Sequence, residues 1–388
     1  MLHHESLMNE LPRTITASAD AGAAAHADLP RSRRWLHRYA VVLALATWVL
    51  IFAGGMVTST GSGLAVPDWP TSYGYNMFAF PYSQWVGGIF YEHGHRLIAS
   101  TVGLLTIGLC IWLWVTEPRR WLCKLGSLAL AAVIVQGILG GLTVRYFLPT
   151  PVSVAHACLA QTFFCIVVSI AVFTSPRWLR SSTDGNPAAS REAQVRFQEE
   201  NRRSASIQTP HLGVLLTAIV FLQLILGAIM RHTESGLAVP DFPLAYGQVI
   251  PGFDEGSVAE YNEYRRFTLG VPAVTVGQIA SHMAHRAGAL LVTAVVFIVG
   301  ILTLRRHGDR PLLTRPVMLA MGLVLLQIAL GAWTVLSQKL PVIATAHVAV
   351  GAATLAVAWV FTLRAHRYIG VARTEKLPRT VGVAGATG

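Results

Sequence analysis

The chain has 388 residues, of which 53% are hydrophobic and 13% charged, with a formal net charge of +11. A soluble domain carries about 25% charged residues, so the composition excludes an ordinary soluble protein. The apolar residues stand in continuous runs rather than short alternating segments, which excludes an outer-membrane barrel.

Residues 1–34 begin Ala-rich and polar, with no apolar stretch of the kind a cleavable signal peptide needs. They are read as a disordered cytoplasmic tail. Four runs of about 20 apolar residues follow, near 39–58, 93–115, 122–144 and 152–174. These predict an N-terminal four-helix bundle over 35–174. Residues 175–210, containing SSTDGNPAASREAQVRFQEENRRS, are a polar cytoplasmic linker. Four more runs, near 211–230, 280–304, 316–336 and 341–363, predict a C-terminal four-helix bundle over 211–365, and 366–388 form a second tail.

With the N-terminus placed in the cytoplasm, the cytoplasmic tails and loops hold 23 of the 30 Lys and Arg. The opposite side holds Arg145, Arg231, Arg265, Arg266 and Lys339, while Arg96 and Arg286 sit at the outer ends of helices 2 and 6. This positive-inside bias predicts a multi-pass protein of the cell (inner) membrane with both termini cytoplasmic. It accounts for the basic excess through membrane lipid and topology, with no nucleic acid. None of Cys110, Cys123, Cys158 and Cys165 falls in a predicted outer loop, so no structural disulfide is expected.

The chain repeats itself. SGLAVPDWP (62–70) returns as SGLAVPDFP (235–243), GHRLIAS (94–100) as AHRAGAL (284–290), and QGILGGLTV (136–144) as QIALGAWTV (327–335). PVSVAHACLAQT (151–162) returns as PVIATAHVAVGAAT (341–354) with one residue inserted. The fold expected is therefore all-α and integral to the membrane: eight transmembrane helices as a tandem repeat of two four-helix bundles. An even number of spans keeps the copies in one orientation, related by a pseudo-two-fold axis along the membrane normal.

Both copies keep the same chemistry-bearing residues. His95 matches His285, His156 matches His347, Arg96 matches Arg286 and Asp68 matches Asp241. One intramembrane histidine is commonly an interhelical hydrogen-bonding residue. Two pairs at matched depth, on different helices of each half, favour axial ligation of a planar haem at two sites. Zinc would need three or four ligands close together, and no such cluster is present in the sequence. Arg96 and Arg286 suit haem propionates or snorkelling to headgroups. Gly137, Gly140 and Gly141 leave room for helix contact or for a flat ring. The aromatic residues of the first outer loop form an interfacial belt or a lid over a haem edge. Asp68 and Asp241 are assigned to turn chemistry. Glu92 lies three residues before His95 and on its helical face, and its counterpart is His282. A carboxylate in one copy alone suggests that the halves do different work.

Together the topology, the tandem repeat, the four histidines and the run EHGHR (92–96) resemble the haem A synthase family, whose signature is Glu-x-x-His-Arg. The resemblance spans roughly 35–365. It implies an oxidoreductase that converts the C8 methyl of haem O to a formyl group, giving haem A for terminal oxidases. It also implies that His95 and His156 bind the substrate haem, that Glu92 is the catalytic carboxylate, and that His285 and His347, with Arg286 beside them, bind haem b. The partners it implies are haem O and haem A, the haem O-producing farnesyltransferase and oxidase assembly proteins, with self-association left open. A di-haem cytochrome b handling quinol electrons remains the alternative. Many family members carry a cysteine pair in the first outer loop, and residues 59–91 contain none.

Overall fold

The structure, a computed structural model, describes residues 31–180 and 208–374. The first 30 residues, the linker stretch 181–207 and the end beyond 374 lie outside it. In chain order the helices are α1 (Arg31–Ser59), α2 (Gly88–Thr116), α3 (Arg120–Arg145), α4 (Thr150–Thr174), the short α5 (Pro176–Arg180), α6 (Thr209–His232), α7 (Glu255–Tyr264), α8 (Val276–His307), α9 (Pro311–Leu336) and α10 (Pro341–Thr374). All but α5 and α7 are long and apolar enough to cross a membrane, which makes eight spans among the described residues. The fold is all-α. Residues 31–34, inside the region expected as tail, already belong to α1, where the unbranched Arg side chains lose little freedom.

Local sequence sets the helix boundaries. Pro sits in the first turn of α4, α6 and α9, where its missing N–H costs nothing. Thr275 and Gln278 form a reciprocal capping box that starts α8. The α3–α4 and α9–α10 turns are built alike. Phe147 and Leu148 in one, and Gln338 and Lys339 in the other, take left-handed φ angles of 53–64°. Leu148 N–H donates to Thr143 O at 2.7 Å, and Lys339 N–H to Thr334 O at 2.8 Å.

Helices α1–α4 close a ring in which α1 packs on α2, α2 on α3, α3 on α4, and α4 back on α1. Helices α6, α8, α9 and α10 close a second ring in the same way. The rings meet where α1 and α4 pack on α10 and α6. Each ring has its own apolar core: Leu43, Leu109, Leu122 and Ile170 are central to the first, and Leu216, Val296, Leu313 and Phe361 to the second. In lipid these burials gain little transfer free energy, so cohesion rests on packing and interhelical hydrogen bonds. Across the seam the Trp48 indole donates to Ala349 O (2.8 Å) and the Trp359 indole to Ser169 Oγ (2.7 Å).

Both cores occupy the same end of their rings. In the first ring the residues of this core cluster stop at Leu43 on α1 and begin at Val102 on α2. The opposite end, where the long loops 60–87 and 233–275 emerge, carries the four histidines instead. All four cysteines are free and lie in α2, α3 and α4.

Candidate functional site

Each of the four histidines lies against a glycine of a neighbouring helix. A Cβ built at Gly54 on α1 would stand 3.0 Å from His95 Cε1, and one at Gly140 on α3 would stand 3.3 Å from His156 Cε1. In the second ring Gly227 on α6 meets His285 Cε1 at 3.1 Å, and Gly331 on α9 meets His347 Cε1 at 3.2 Å. Ordinary carbon contacts lie at about 3.5–4.0 Å, so glycine is what admits each ring. Gly140 is therefore a seat for an imidazole. Gly141 instead admits the Trp69 indole, which a Cβ there would meet at 2.6 Å, and Gly137 has open space beside it.

The imidazoles are also held from behind. Gln136 Nε2 donates to His156 O at 2.9 Å, and Gln327 Nε2 to His347 O at 2.8 Å. Gln223 Nε2 reaches His285 O at 2.8 Å and lies 3.1 Å from His285 Nδ1. The first-ring position matching Gln223 is Leu50, so His95 lacks this support. The Nδ1 atoms of His95, His156 and His347 are buried without a hydrogen-bond partner.

His285 and His347 face one another with ring centroids 6.3 Å apart and planes inclined by 75°. Two imidazole nitrogens each about 2 Å from one metal, with the radii of the two rings added, span nearly the same distance. The pair thus fits the two axial positions of one haem iron. Among the described residues no group of three or more His, Cys, Asp or Glu could hold a metal ion.

Glu92 is buried, 4% exposed, at the loop end of α2. Its Oε1 accepts from Arg96 Nη2 at 2.7 Å and its Oε2 from Val66 N–H at 2.8 Å. Arg96 spends its other hydrogen bonds on the carbonyls of Val66, Asp68 and Thr71. His282 takes over these contacts in the second ring: Val239 N–H donates to its Nδ1 at 3.2 Å, and Arg286 Nε lies 3.3 Å from its Nε2. Arg286 also donates to Leu244 O, Asp241 O and Val239 O. Both arginines, read from sequence as propionate or headgroup partners, fasten their loop to their helix with the donors the structure resolves.

The loops are turns built on aspartate, as the sequence suggested. Asp68 accepts from Thr71 Oγ1, Tyr73 N–H and Gly74 N–H. Asp241 accepts from Tyr246 N–H and Gly247 N–H. Tyr73 OH reaches Ala65 O, and Tyr246 OH reaches Ala238 O, each at 2.6 Å. Burial pushes the Asp68 carboxyl up, but the bonds from Gly74, Thr71 and Tyr73 outweigh it and hold it below the usual carboxylate range. The aromatic residues of loop 60–87 divide. Tyr82, Phe78 and Trp69 are exposed, whereas Phe80 and Trp85 pack on the buried His93, with ring centroids 4.8 and 4.7 Å away.

The family model described as cytochrome oxidase assembly protein (COX15-CtaA) matches residues 37–359, which takes in both rings and both loops. The chain belongs to this family. Among curated relatives, the haem A synthase of Halalkalibacterium halodurans is 25% identical over 318 residues, covering 81% of this chain and 91% of the relative. The haem A synthase of Caulobacter vibrioides is 28% identical over 367 residues, covering 84% and 94%. That of Symbiobacterium thermophilum is 27% identical over 298 residues, covering 76% and 81%. Membership of the cytochrome oxidase assembly protein family therefore rests on nearly the full length of the described fold.

Within this member of the family, the sequence pointed to the histidines but not to Gly54, Gly227 or Gln223, nor to His93 and the loop-locking role of His282. The repeat alignment carried a signal for some of these. Gly54 and Gly227 are matched positions, and Leu50 against Gln223 is a mismatch beside a ligand candidate.

Proposed function

We propose that this chain is a haem A synthase of the cell membrane, oxidising the C8 methyl group of haem O to the formyl group of haem A. The observation that carries the reading is a facing imidazole pair seated on glycine in the second ring, with the same glycine seats under His95 and His156 in the first. The relatives' name, haem A synthase, supports haem A as the product, with haem O as its precursor.

In this reading His285 and His347 hold a resident haem b, and His95 and His156 hold the substrate haem. A haem b bound in this way supplies one-electron transfer. Gln136, Gln223 and Gln327 fix the backbone of three of the histidine-bearing turns, which would hold His156, His285 and His347 in a set orientation for a haem. Arg286 shapes the haem b site through the loop it holds. Glu92 presents one fixed carboxylate at the substrate half, pinned by Arg96 and Val66, where it takes a proton or stabilises developing positive charge. His282, a neutral-capable ring in the same place, provides the locking contacts without a carboxylate, which suits a half that only passes electrons. The buried aromatic and histidine side chains under loop 60–87 exclude water from that end. The positive-inside bias supports placing the histidine end on the outer side, with both termini in the cytoplasm. The haem O-forming farnesyltransferase and oxidase assembly proteins are the partners this role calls for.

Extraction of pigment from the purified protein tests the assignment. Haem O or haem A beside haem b is expected. Haem b alone, with no conversion of added haem O, would refute it in favour of an electron-transfer cytochrome.

A further inference from the structure

Arg231 closes the last turn of α6, at the histidine end of the seam between the two rings. It stands four residues after Gly227, the seat of His285, and so on the same face of α6. Its Nη2 donates to Gly55 O and to Ser59 Oγ on α1, both at 2.6 Å. Ser59 Oγ is in turn 3.0 Å from Thr345 Oγ1, two residues before His347. The guanidinium is thus bracketed by the supports of both second-ring histidines.

Nothing resolved neutralises that charge. Among the described residues no carboxylate pairs with Arg231, and its Nε and Nη1 make no hydrogen bond. A guanidinium has five N–H donors in a planar fork that matches a carboxylate. A guanidinium at a membrane boundary is costly unless its donors are met, and with both Nη2 bonds made Arg231 keeps three N–H groups, on Nε and Nη1, for a further acceptor. The first-ring counterpart is Thr58, whose hydroxyl bonds only Gly54 O of its own helix, so the repeat itself does not require an arginine here. Arg96 and Arg286, by contrast, have their resolved bonds committed to the loops.

We infer that Arg231 binds a propionate of the haem held by His285 and His347, and that its second hand on Gly55 ties that carboxylate to the helix that seats His95. The inference rests on the two-haem reading above. Arg231 is a binding and positioning residue, and it links the two sites mechanically through adjacent residues, Gly54 under His95 and Gly55 against Thr345.

The test uses full-length holoprotein in lipid nanodiscs, with redox titration of the b-type haem and haem transfer to apomyoglobin as readouts. Arg231→Gln uncovers a negative propionate, so the midpoint potential falls, and haem transfer speeds up about tenfold or more, as loss of a charge-assisted pair predicts. Arg231→Lys keeps the charge and recovers most of the potential. Ser59→Ala removes one of the two seam bonds, that to Ser59 Oγ, but keeps the guanidinium, and leaves the potential where it was. An unshifted potential and unchanged transfer in Arg231→Gln would overturn the inference and leave Arg231 as a seam contact. A shift in Ser59→Ala as large as that in Arg231→Gln would overturn it equally. If the difference between wild type and Arg231→Gln vanishes in nanodiscs without anionic lipid, the counter-ion is a lipid phosphate and the propionate assignment falls. A wild-type protein without a b-type spectrum would instead sink the two-haem reading itself.

Discussion

Replacing Gly331 by alanine is the most direct probe of the imidazole seats. The new Cβ would lie 3.2 Å from His347 Cε1, 3.7 Å from Nδ1 and 3.8 Å from Nε2. Carbon atoms settle at about 3.5–4.0 Å, so the ring must retreat by roughly 0.3–0.8 Å or α9 must move. The imidazole–metal bond tolerates only about 0.2 Å, and the His347 turn is held by Gln327, which limits how the backbone can yield. Overpacking of this kind costs about 1–3 kcal/mol, which corresponds to a loss of haem affinity of roughly 5- to 150-fold. Gly322, on the same helix, has nothing within 4 Å of its Cβ position, so Gly322→Ala controls for the general effect of a methyl group on α9. The assay is haem b per protein by pyridine haemochrome, together with the low-spin electron paramagnetic resonance signal of the purified variants. Gly331→Ala is expected to lose haem or shift its g-values, while Gly322→Ala matches wild type. A Gly331→Ala protein with full haem and an unchanged signal would refute the argument that ligation holds the ring against the glycine.

His285→Leu and His347→Leu should each abolish the low-spin haem b spectrum, and a normal spectrum in both would end that assignment. Glu92→Gln can still accept from Val66 N–H, and Arg96 keeps three carbonyl acceptors, so the fold should hold. That variant should retain haem b, accumulate haem O or a partly oxidised form and make little haem A on pigment extraction; near-normal haem A would leave Glu92 as a loop-fastening residue alone. Asp68 has its carboxyl held below the usual range, so its contribution to loop stability is present above the ordinary carboxylate pKa of about 4 and is lost as pH falls through the folded value. Protection of the Tyr73 and Gly74 amides, measured against their intrinsic exchange rates at each pH, should therefore fall in acid in wild type but change much less in Asp68→Asn, and equal acid responses would contradict the turn's dependence on charge. A cysteine introduced at Ser190, in the linker, should resist impermeant thiol reagents added outside intact cells if both termini are cytoplasmic; ready labelling would invert the topology.

Much of this protein is written locally. A span is a run of apolar residues as long as a bilayer is thick, so all eight could be read from hydropathy, and the repeat appeared by comparing the chain with itself. The aspartate turns were legible for the same reason, since Asp68 and Asp241 bond amides only five and six residues away. Two chemically suitable residues at matched depth were enough to nominate four histidines. Contacts between helices are a different matter. That Gly54 seats His95 and Gly227 seats His285 depends on the rotation and separation of packed helices, and no periodicity within either helix carries that information. The fate of Arg96 and Arg286 was likewise undecidable from composition, because a guanidinium at a helix end pairs equally well with a propionate, a headgroup or a carbonyl. The folded loop brings several carbonyls within reach of each, a contact that only the tertiary structure supplies. Helix ends also ran past their expected limits, since hydropathy marks where lipid stops and not where backbone hydrogen bonding does. Arg231 shows the distinction most plainly: in the sequence it is one of five basic residues on the sparse side, and only the meeting of α6 with α1 places its guanidinium between the two rings, charged and without a carboxylate among the described residues.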